Sequence, residues 1–232
     1  MHSALGGQAF NELPENLPRA VRSMRKLCTE VIGYDDGSTD GTAEWMRANL
    51  DHAFLSPEND WKDEVRHKAL MLDEAKRRGA DWILWLDADE ELTPGAVENI
   101  PPFIMAHPEL TGLCLGELNL WASETKYRVD RQYGDAGFLR LWKNRPELGY
   151  PNTDRGLHQP QFPPAARDCI MRLGYPENSI LHYSWSSKAK ILAKHARYAA
   201  QGQSGESLDR LEDDPNAVLI PVRPEWFWPK EA

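Results

Sequence analysis

The sequence predicts an α/β protein with a mostly parallel sheet flanked by helices and a mixed or antiparallel C-terminal extension. In residues 1–105, short apolar segments alternate with stretches of helical periodicity, as parallel strands joined by right-handed helical crossovers do. Beyond residue 111 the pattern changes, because residues 113–120 and 138–142 alternate apolar with polar side chains. Such alternation favours strands in antiparallel or mixed pairing.

The elements of the first half can be placed one by one. Residues 3–10 suggest a short strand, and apolar residues spaced three or four apart over 13–27 indicate a helix. The apolar run 31–34 ends in an acidic turn, which predicts a strand, and a helix follows over 42–50. A helix over 61–75 ends at a basic turn before Gly79.

The next strand has a different composition from the others. Residues 81–86 are almost continuously apolar, which predicts a strand buried on both faces. Thr93 and Pro94 then predict the cap and first residue of a helix. In the second half we expect loops over 143–178, a strand over 180–185, a helix over 188–200 and an aromatic tail, 218–228, that packs on the body.

Acidic turns follow two of the predicted strands. One is Asp35-Asp36-Gly37-Ser38 and the other is Asp87-Ala88-Asp89. Open α/β sheets bind ligands at the carboxyl ends of their strands, so both turns are candidate ligand sites. Two carboxylates separated by one residue can converge on Mg²⁺ or Mn²⁺, which take oxygen ligands. The alternatives are a solvated turn for the second segment and a helix-capping turn for the first.

Composition restricts the functional class. The 232 residues carry a net charge of −9, and residues 1–110 hold 21 acidic but only 11 basic side chains. Nucleic-acid binding is therefore not expected, because it needs a basic face. No apolar stretch approaches the roughly 20 residues of a membrane span, and no signal peptide is recognised. Three widely spaced cysteines suggest free thiols in a reducing compartment, so we expect a cytoplasmic protein.

The paired motifs resemble a known family. Asp35-Asp36-Gly37-Ser38-Thr39-Asp40-Gly41-Thr42, followed by Asp87-Ala88-Asp89-Glu90-Glu91, resembles the family 2 glycosyltransferases of GT-A fold. More narrowly, it resembles the bacterial branch that builds lipopolysaccharide core and related surface glycans. Asn11-Glu12, residues 66–70 and Leu181-His182-Tyr183-Ser184-Trp185 extend the match, with Lys194 and Tyr198 in the following helix. The resemblance implies one Rossmann-like domain over 1–232, with a nucleotide-sugar half, 1–110, and an acceptor-side half, 111–232.

The resemblance also implies a role for several residues. Asp35 and Asp36 would contact the nucleobase and ribose, with Asp36 favoured, and Arg66 would lie near the nucleotide. Asp87 would face the ribose, or the metal through water, and Asp89 would be the direct ligand of Mn²⁺ or Mg²⁺. His182 would reach the metal or the diphosphate; a half-buried strand histidine is the alternative. Glu90 and Glu91 are expected at the surface.

The catalytic base is the least defined part of this prediction. Related sequences show a His-Glu pair after a Gly-rich stretch, whereas this chain has Gln159 after His158. Asp154 and His158 remain the candidates, and Glu117 is a third, although we expect Glu117 to face solvent. The expected activity is inverting sugar transfer from a nucleotide-diphosphate sugar to a glycan or lipid-linked acceptor, with possible peripheral contact at the inner membrane face. A non-catalytic nucleotide-sugar-binding protein of the same fold is the alternative.

Overall fold

The computed structural model describes residues 3–12, 14–60, 63–130, 133–134, 137–150, 161–200 and 216–229. Helices and strands alternate through the first half, as the sequence predicts. The described helices are α1 (Asn16–Arg25), α2 (Thr42–Asn49), α3 (Glu64–Arg77), α4 (Pro94–Ala106) and α5 (Lys188–Ala200). The described strands are β1 (Ser3–Ala9), β2 (Ile32–Asp35), β3 (His52–Leu55), β4 (Trp82–Trp85), β5 (Glu90–Leu92), β6 (Gly112–Leu120), β7 (Lys126–Arg128), β8 (Phe138–Lys143), β9 (Ile170–Arg172), β10 (Ser179–His182) and β11 (Leu219–Pro221).

The first four strands form a parallel sheet in the order β3-β2-β1-β4. β1 therefore lies between β2 and β4, the two strands that end in acidic turns. Strand β8 adds antiparallel to β4, and β6 adds antiparallel to β8. The sheet thus continues from a parallel half into a mixed extension, which confirms the predicted fold class.

Strand β10 connects distant parts of the chain. It runs parallel to β6 and antiparallel to β5, so that His182 is in register with Asn119 on one side and Glu90 on the other. Neither β5 nor the short strands β3, β7, β9 and β11 were predicted from the sequence. Each has only three or four residues, too few for a two-residue periodicity to be recognised.

Hydrophobic clusters cover both faces of the sheet. Trp82 and Leu84 of β4 pack into a cluster with α1, α2 and α4, whereas Ile83 and Trp85 pack into a second cluster with α3. All four residues are buried, which confirms that this strand is covered on both faces. Helix α4 begins as predicted, since the Thr93 hydroxyl accepts a hydrogen bond from the Ala96 N–H.

The aromatic tail packs on the body of the protein, as predicted. β11 pairs antiparallel with β7, and Trp226 is buried in a cluster with Leu118 and Tyr127. The indole N–H of Trp228 donates a hydrogen bond to the Leu92 carbonyl at 2.8 Å. Among the described helices, none is both long enough and apolar enough to cross a bilayer.

Candidate functional site

The two acidic turns lie on the same edge of the sheet. β2 and β4 both pair in parallel with β1, so their carboxyl ends flank the end of that strand. The end of β1 and the loop after it contact the first turn directly: the Asp36 N–H donates to the Ala9 carbonyl, and the Asn11 N–H donates to the Ser38 hydroxyl. The fold therefore brings the two motifs to one place, as expected for the carboxyl edge of a parallel sheet.

Asp35 and Asp36 are both fully buried, but their carboxylates have different surroundings. Asp36 accepts hydrogen bonds from the Asp60 N–H at 2.9 Å and from the Asn59 side chain at 3.2 Å. Asp35 accepts from the Ser38 N–H at 3.1 Å, and its second oxygen has no partner among the described residues. Asp36 thus holds the loop at 58–60, while Asp35 keeps an unsatisfied buried acceptor.

Gly37 makes this turn possible. Its φ of +73° lies in the left-handed region, and a Cβ there would come within 2.6 Å of the Asn59 backbone nitrogen. Only glycine avoids both the torsional cost and the steric clash. The close approach of the 58–60 loop to Asp36 therefore depends on this residue.

Arg66 lies on the exposed side of α3, at the border of this region. Its guanidinium forms an ion pair with Asp63, and that hydrogen bond raises the pKa of Arg66. The next residue, His67, is buried and its ring stacks on Tyr34 at 3.9 Å between centroids. The charge of Asp60 also raises the pKa of Arg66, so Arg66 lies close to the 58–60 loop that Asp36 holds.

The second turn separates its two carboxylates. Asp87 accepts hydrogen bonds from the Trp85 indole N–H and from the Gln161 side chain, each at 2.9 Å. Asp89 instead lines a cavity of about 360 Å³. Its carboxylate accepts a hydrogen bond from the Ser184 hydroxyl and lies 3.5 Å from His182 Nε2. Asp89 therefore pairs with His182, whereas Asp87 is engaged by Trp85 and Gln161.

The cavity beside Asp89 is formed by the loop after β1, the start of α1 and the start of α5. Its described lining residues are Phe10, Asn11, Glu12, Pro14, Glu15, Asn16, Asp89, Ser184, Lys190 and Ala193. Within the described part of the chain, no three His, Cys, Asp or Glu side chains come together as a metal-holding group. A cation here would therefore be held by few protein ligands, which is the usual arrangement for Mg²⁺ when substrate phosphates complete the coordination.

Two acceptors on the neighbouring strand β6 hold the His182 ring in position. Its Nδ1 lies 3.1 Å from a Glu117 carboxylate oxygen and 2.9 Å from the Asn119 amide oxygen. Both neighbours are acceptors, so Nδ1 carries the proton. Burial disfavours the imidazolium, but the Glu117 and Asp89 carboxylates outweigh it and raise the pKa of His182 well above its ordinary value. A His182 that ligates a metal must first release its Nε2 proton.

Arg140 completes the buried charge network. Its guanidinium donates to both oxygens of Glu90, at 2.9 and 2.7 Å, and to Glu117 at 2.9 Å. Burial raises the pKa of Glu90, whereas the bidentate contact with Arg140 favours the ionised carboxylate. We assign an ion pair, because both oxygens of Glu90 accept from the guanidinium. Burial also opposes ionisation of Glu117, but His182 and Arg140 lower its pKa to about 2.

Three sequence expectations are wrong at this site. Glu90 and Glu91 are each only 2% exposed rather than at the surface. Glu90 pairs with Arg140, while Glu91 accepts from the Tyr183 hydroxyl at 2.8 Å and from Arg22 at 3.0 Å. Glu117 does not face solvent, and its ion pairs with Arg140 and His182 engage both oxygens. The base candidates Asp154 and His158 lie outside the described residues.

Comparisons with known proteins agree with this arrangement. A model of the Glycosyl transferase family 2 matches residues 8–115, which include both acidic turns. Over those residues the chain is similar to the members of that family. It is 28% identical over 101 residues to the lipopolysaccharide core biosynthesis glycosyltransferase LpsC of Rhizobium meliloti (strain 1021), covering 41% of this chain and 35% of LpsC. An uncharacterized glycosyltransferase of Rickettsia bellii (strain RML369-C) is 25% identical over 219 residues, which cover 91% of this chain and 69% of that protein.

Solved structures show the same fold. The crystal structure of S. aureus TarS 1–349 superposes with a TM-score of 0.56 at 15% identity, covering 89% of this chain and 67% of that one. TarS 1–349 in complex with UDP-GlcNAc gives a TM-score of 0.54, also at 15% identity, over 78% of this chain and 58% of that one. The architecture is therefore that of the GT-A glycosyltransferases. The chain matches about a third of the length of LpsC.

The Gly37 turn provides a first test. Gly37→Ala should lower the free energy of unfolding by about 1–3 kcal/mol more than Gly79→Ala, as measured by urea denaturation. Both glycines have φ near +74°, so both variants carry the left-handed penalty. A Cβ at Gly79 would meet nothing within 4 Å, whereas at Gly37 it meets backbone. Equal losses in the two variants would contradict the steric role of Gly37.

The Arg140 network provides a second test. Arg140→Met should lower the free energy of unfolding by about 3–5 kcal/mol, because it leaves Glu90 buried without its ion-pair partner and Glu117 with His182 alone. Arg223→Met is the matched control, since Arg223 pairs with Glu177 where both side chains are about half exposed or more. That variant should lose at most about 1 kcal/mol. If urea denaturation gave the same loss for both, Arg140 would not be the structural charge described above.

Proposed function

We propose that this chain transfers a sugar from a nucleotide-diphosphate sugar to an acceptor hydroxyl. The observation that carries the proposal is Asp89, which faces the cavity at the end of β4 with His182 beside it. The TarS structures in complex with UDP-GlcNAc and with UDP support a uridine diphosphate sugar as the donor class. The family match over both acidic turns supports the same chemistry.

Asp35, Asp36, Arg66 and Asp87 form the nucleotide side of the proposed site. The unsatisfied oxygen of Asp35 supports a role in accepting a hydrogen bond from the ribose or base. Asp36 keeps the 58–60 loop against the turn, and Arg66 borders that loop. Asp87 is oriented by Trp85 and Gln161, which leaves its position fixed before a donor binds.

The residues at the cavity fit a divalent cation. Asp89 supplies a hard oxygen ligand, and His182 presents Nε2 next to it. Mn²⁺ or Mg²⁺ is the cofactor we propose, with Asp89 as its carboxylate ligand and His182 as a second candidate ligand. When bound, the cation would neutralise the negative charge of the departing diphosphate.

The reaction is a displacement at the anomeric carbon. A bond forms between the acceptor oxygen and that carbon, the bond to the phosphate oxygen breaks, and the nucleoside diphosphate leaves with the bonding electrons. The acceptor proton passes to a carboxylate or imidazole, and Asp154 and His158 remain our candidates for that base. We propose inversion at the anomeric carbon, because a single displacement from the opposite face needs only one base.

We propose a glycan or lipid-linked acceptor in the synthesis of a surface polysaccharide. The similarity to LpsC, whose name places it in lipopolysaccharide core biosynthesis, supports this class of acceptor. A lipid-linked acceptor would place the reaction at the inner face of the membrane, where we propose that the chain makes peripheral contact.

Nucleotide binding tests the proposal. Titration calorimetry with UDP, GDP, CDP and dTDP, each with and without Mn²⁺, should identify one diphosphate whose affinity rises when the metal is present. Asp89→Ala should lower that metal-dependent affinity at least about tenfold, a change of about 1.4 kcal/mol. Asp73→Ala is the control, since Asp73 is an exposed aspartate of α3.

Two results would count against the proposal in different ways. Unchanged Mn²⁺-dependent binding in Asp89→Ala would remove the assigned role of Asp89. If the chain binds the donor but transfers its sugar neither to a glycan acceptor nor to water, that result would favour a nucleotide-sugar-binding protein over an enzyme.

A further inference from the structure

Acidic residues outnumber basic residues among the described residues that line the Asp89 cavity. Its described lining includes the carboxylates of Glu12, Glu15 and Asp89, whereas Lys190 of α5 is the single cation among those lining residues. A diphosphate entering this cavity would meet three carboxylates and one ammonium. The position of that ammonium therefore decides where an anion can be held.

Lys190 is held in place by a neutral group. Its ammonium donates a hydrogen bond to the Asn16 amide oxygen at 3.0 Å, and the Asn16 amide donates to Glu12 at 2.8 Å. The Tyr183 ring centroid lies 5.9 Å from the ammonium. Within the described residues, no carboxylate lies at ion-pairing distance from Lys190, although most of the other buried or half-buried cations near the site pair with Asp or Glu.

The backbone of α5 sets the direction of this side chain. The Ser187 hydroxyl accepts a hydrogen bond from the Lys190 N–H, which caps the first turn of the helix. Ser184, three residues before this cap, donates to Asp89. The short stretch 184–190 therefore both contacts Asp89, through Ser184, and places Lys190 in the same cavity.

We propose that Lys190 binds the diphosphate of the donor and stabilises it as the leaving group. An ammonium carries three N–H donors, and Asn16 uses one of them, so two remain for phosphate oxygens. Lysine binds phosphate as a point charge, and the charge counts most where neighbouring carboxylates would otherwise repel the ligand. This inference rests on the proposed function, since it assigns a residue to the donor of that reaction.

Nucleotide titrations of charge variants test the assignment. Lys190→Gln removes the charge but keeps a hydrogen-bonding side chain, and Lys190→Arg keeps the charge. Lys188→Gln is the matched control, because Lys188 is an exposed lysine in the same turn of α5. The probes are UDP and uridine, each measured by calorimetry in Mn²⁺ and in EDTA.

We expect Lys190→Gln to weaken UDP binding at least tenfold in Mn²⁺ while the affinity for uridine changes less than twofold. Lys190→Arg and Lys188→Gln should retain UDP affinity within about threefold of the wild type. Weaker UDP binding by Lys190→Gln in EDTA as well would show that the ammonium acts on the phosphates without the metal.

The other outcomes overturn specific claims. If the wild type binds UDP and Lys190→Gln binds it equally well, the assignment of Lys190 fails while the proposed function stands. If UDP and uridine weaken in parallel, Lys190 serves only to join α5 to α1, and the assignment again fails. If the wild type binds neither UDP nor any other nucleoside diphosphate, the proposed function fails first.

Discussion

Arg140 lies almost fully buried beneath the site, where its charge must be neutralised by neighbouring carboxylates. Taking a guanidinium out of water costs several kcal/mol unless charged partners with good geometry compensate. Glu90 of β5 and Glu117 of β6 supply those partners, with three contacts between 2.7 and 2.9 Å. Strands β5, β6 and β8 must therefore be aligned so that the three side chains meet, which fixes the register of the mixed half of the sheet.

The alignment imposed by Arg140 extends to the surface of the cavity. Glu117 divides its carboxylate between Arg140 and His182, so the ring of His182 is oriented from within the protein. Its Nε2 then faces Asp89, the one aspartate of its turn that lines the cavity. A group that is positioned before substrate arrives loses less freedom on binding, which is the arrangement expected where charge develops during a reaction.

The sequence predicted the parts of this site that depend on local signals. The apolar run of β4 and the acidic turn after it placed Asp89 at a strand end, and Thr93-Pro94 located the start of α4. Glu90 was not recognised, because an acid within Asp89-Glu90-Glu91 looks solvated until its partner, 50 residues later, is known. Lys190 has no local signal either, since its amide partner Asn16 lies 174 residues away.

The pairing of β10 between β5 and β6 has a consequence for the order in which the protein acquires its site. Chains emerge from the ribosome N-terminus first, and domains fold as their residues become available. His182, Ser184 and Lys190 reach Asp89 or its cavity from about a hundred residues further along the chain. The acidic turns are therefore synthesised well before the residues that complete their surroundings, so the cavity beside Asp89 can form only after Lys190 has been synthesised.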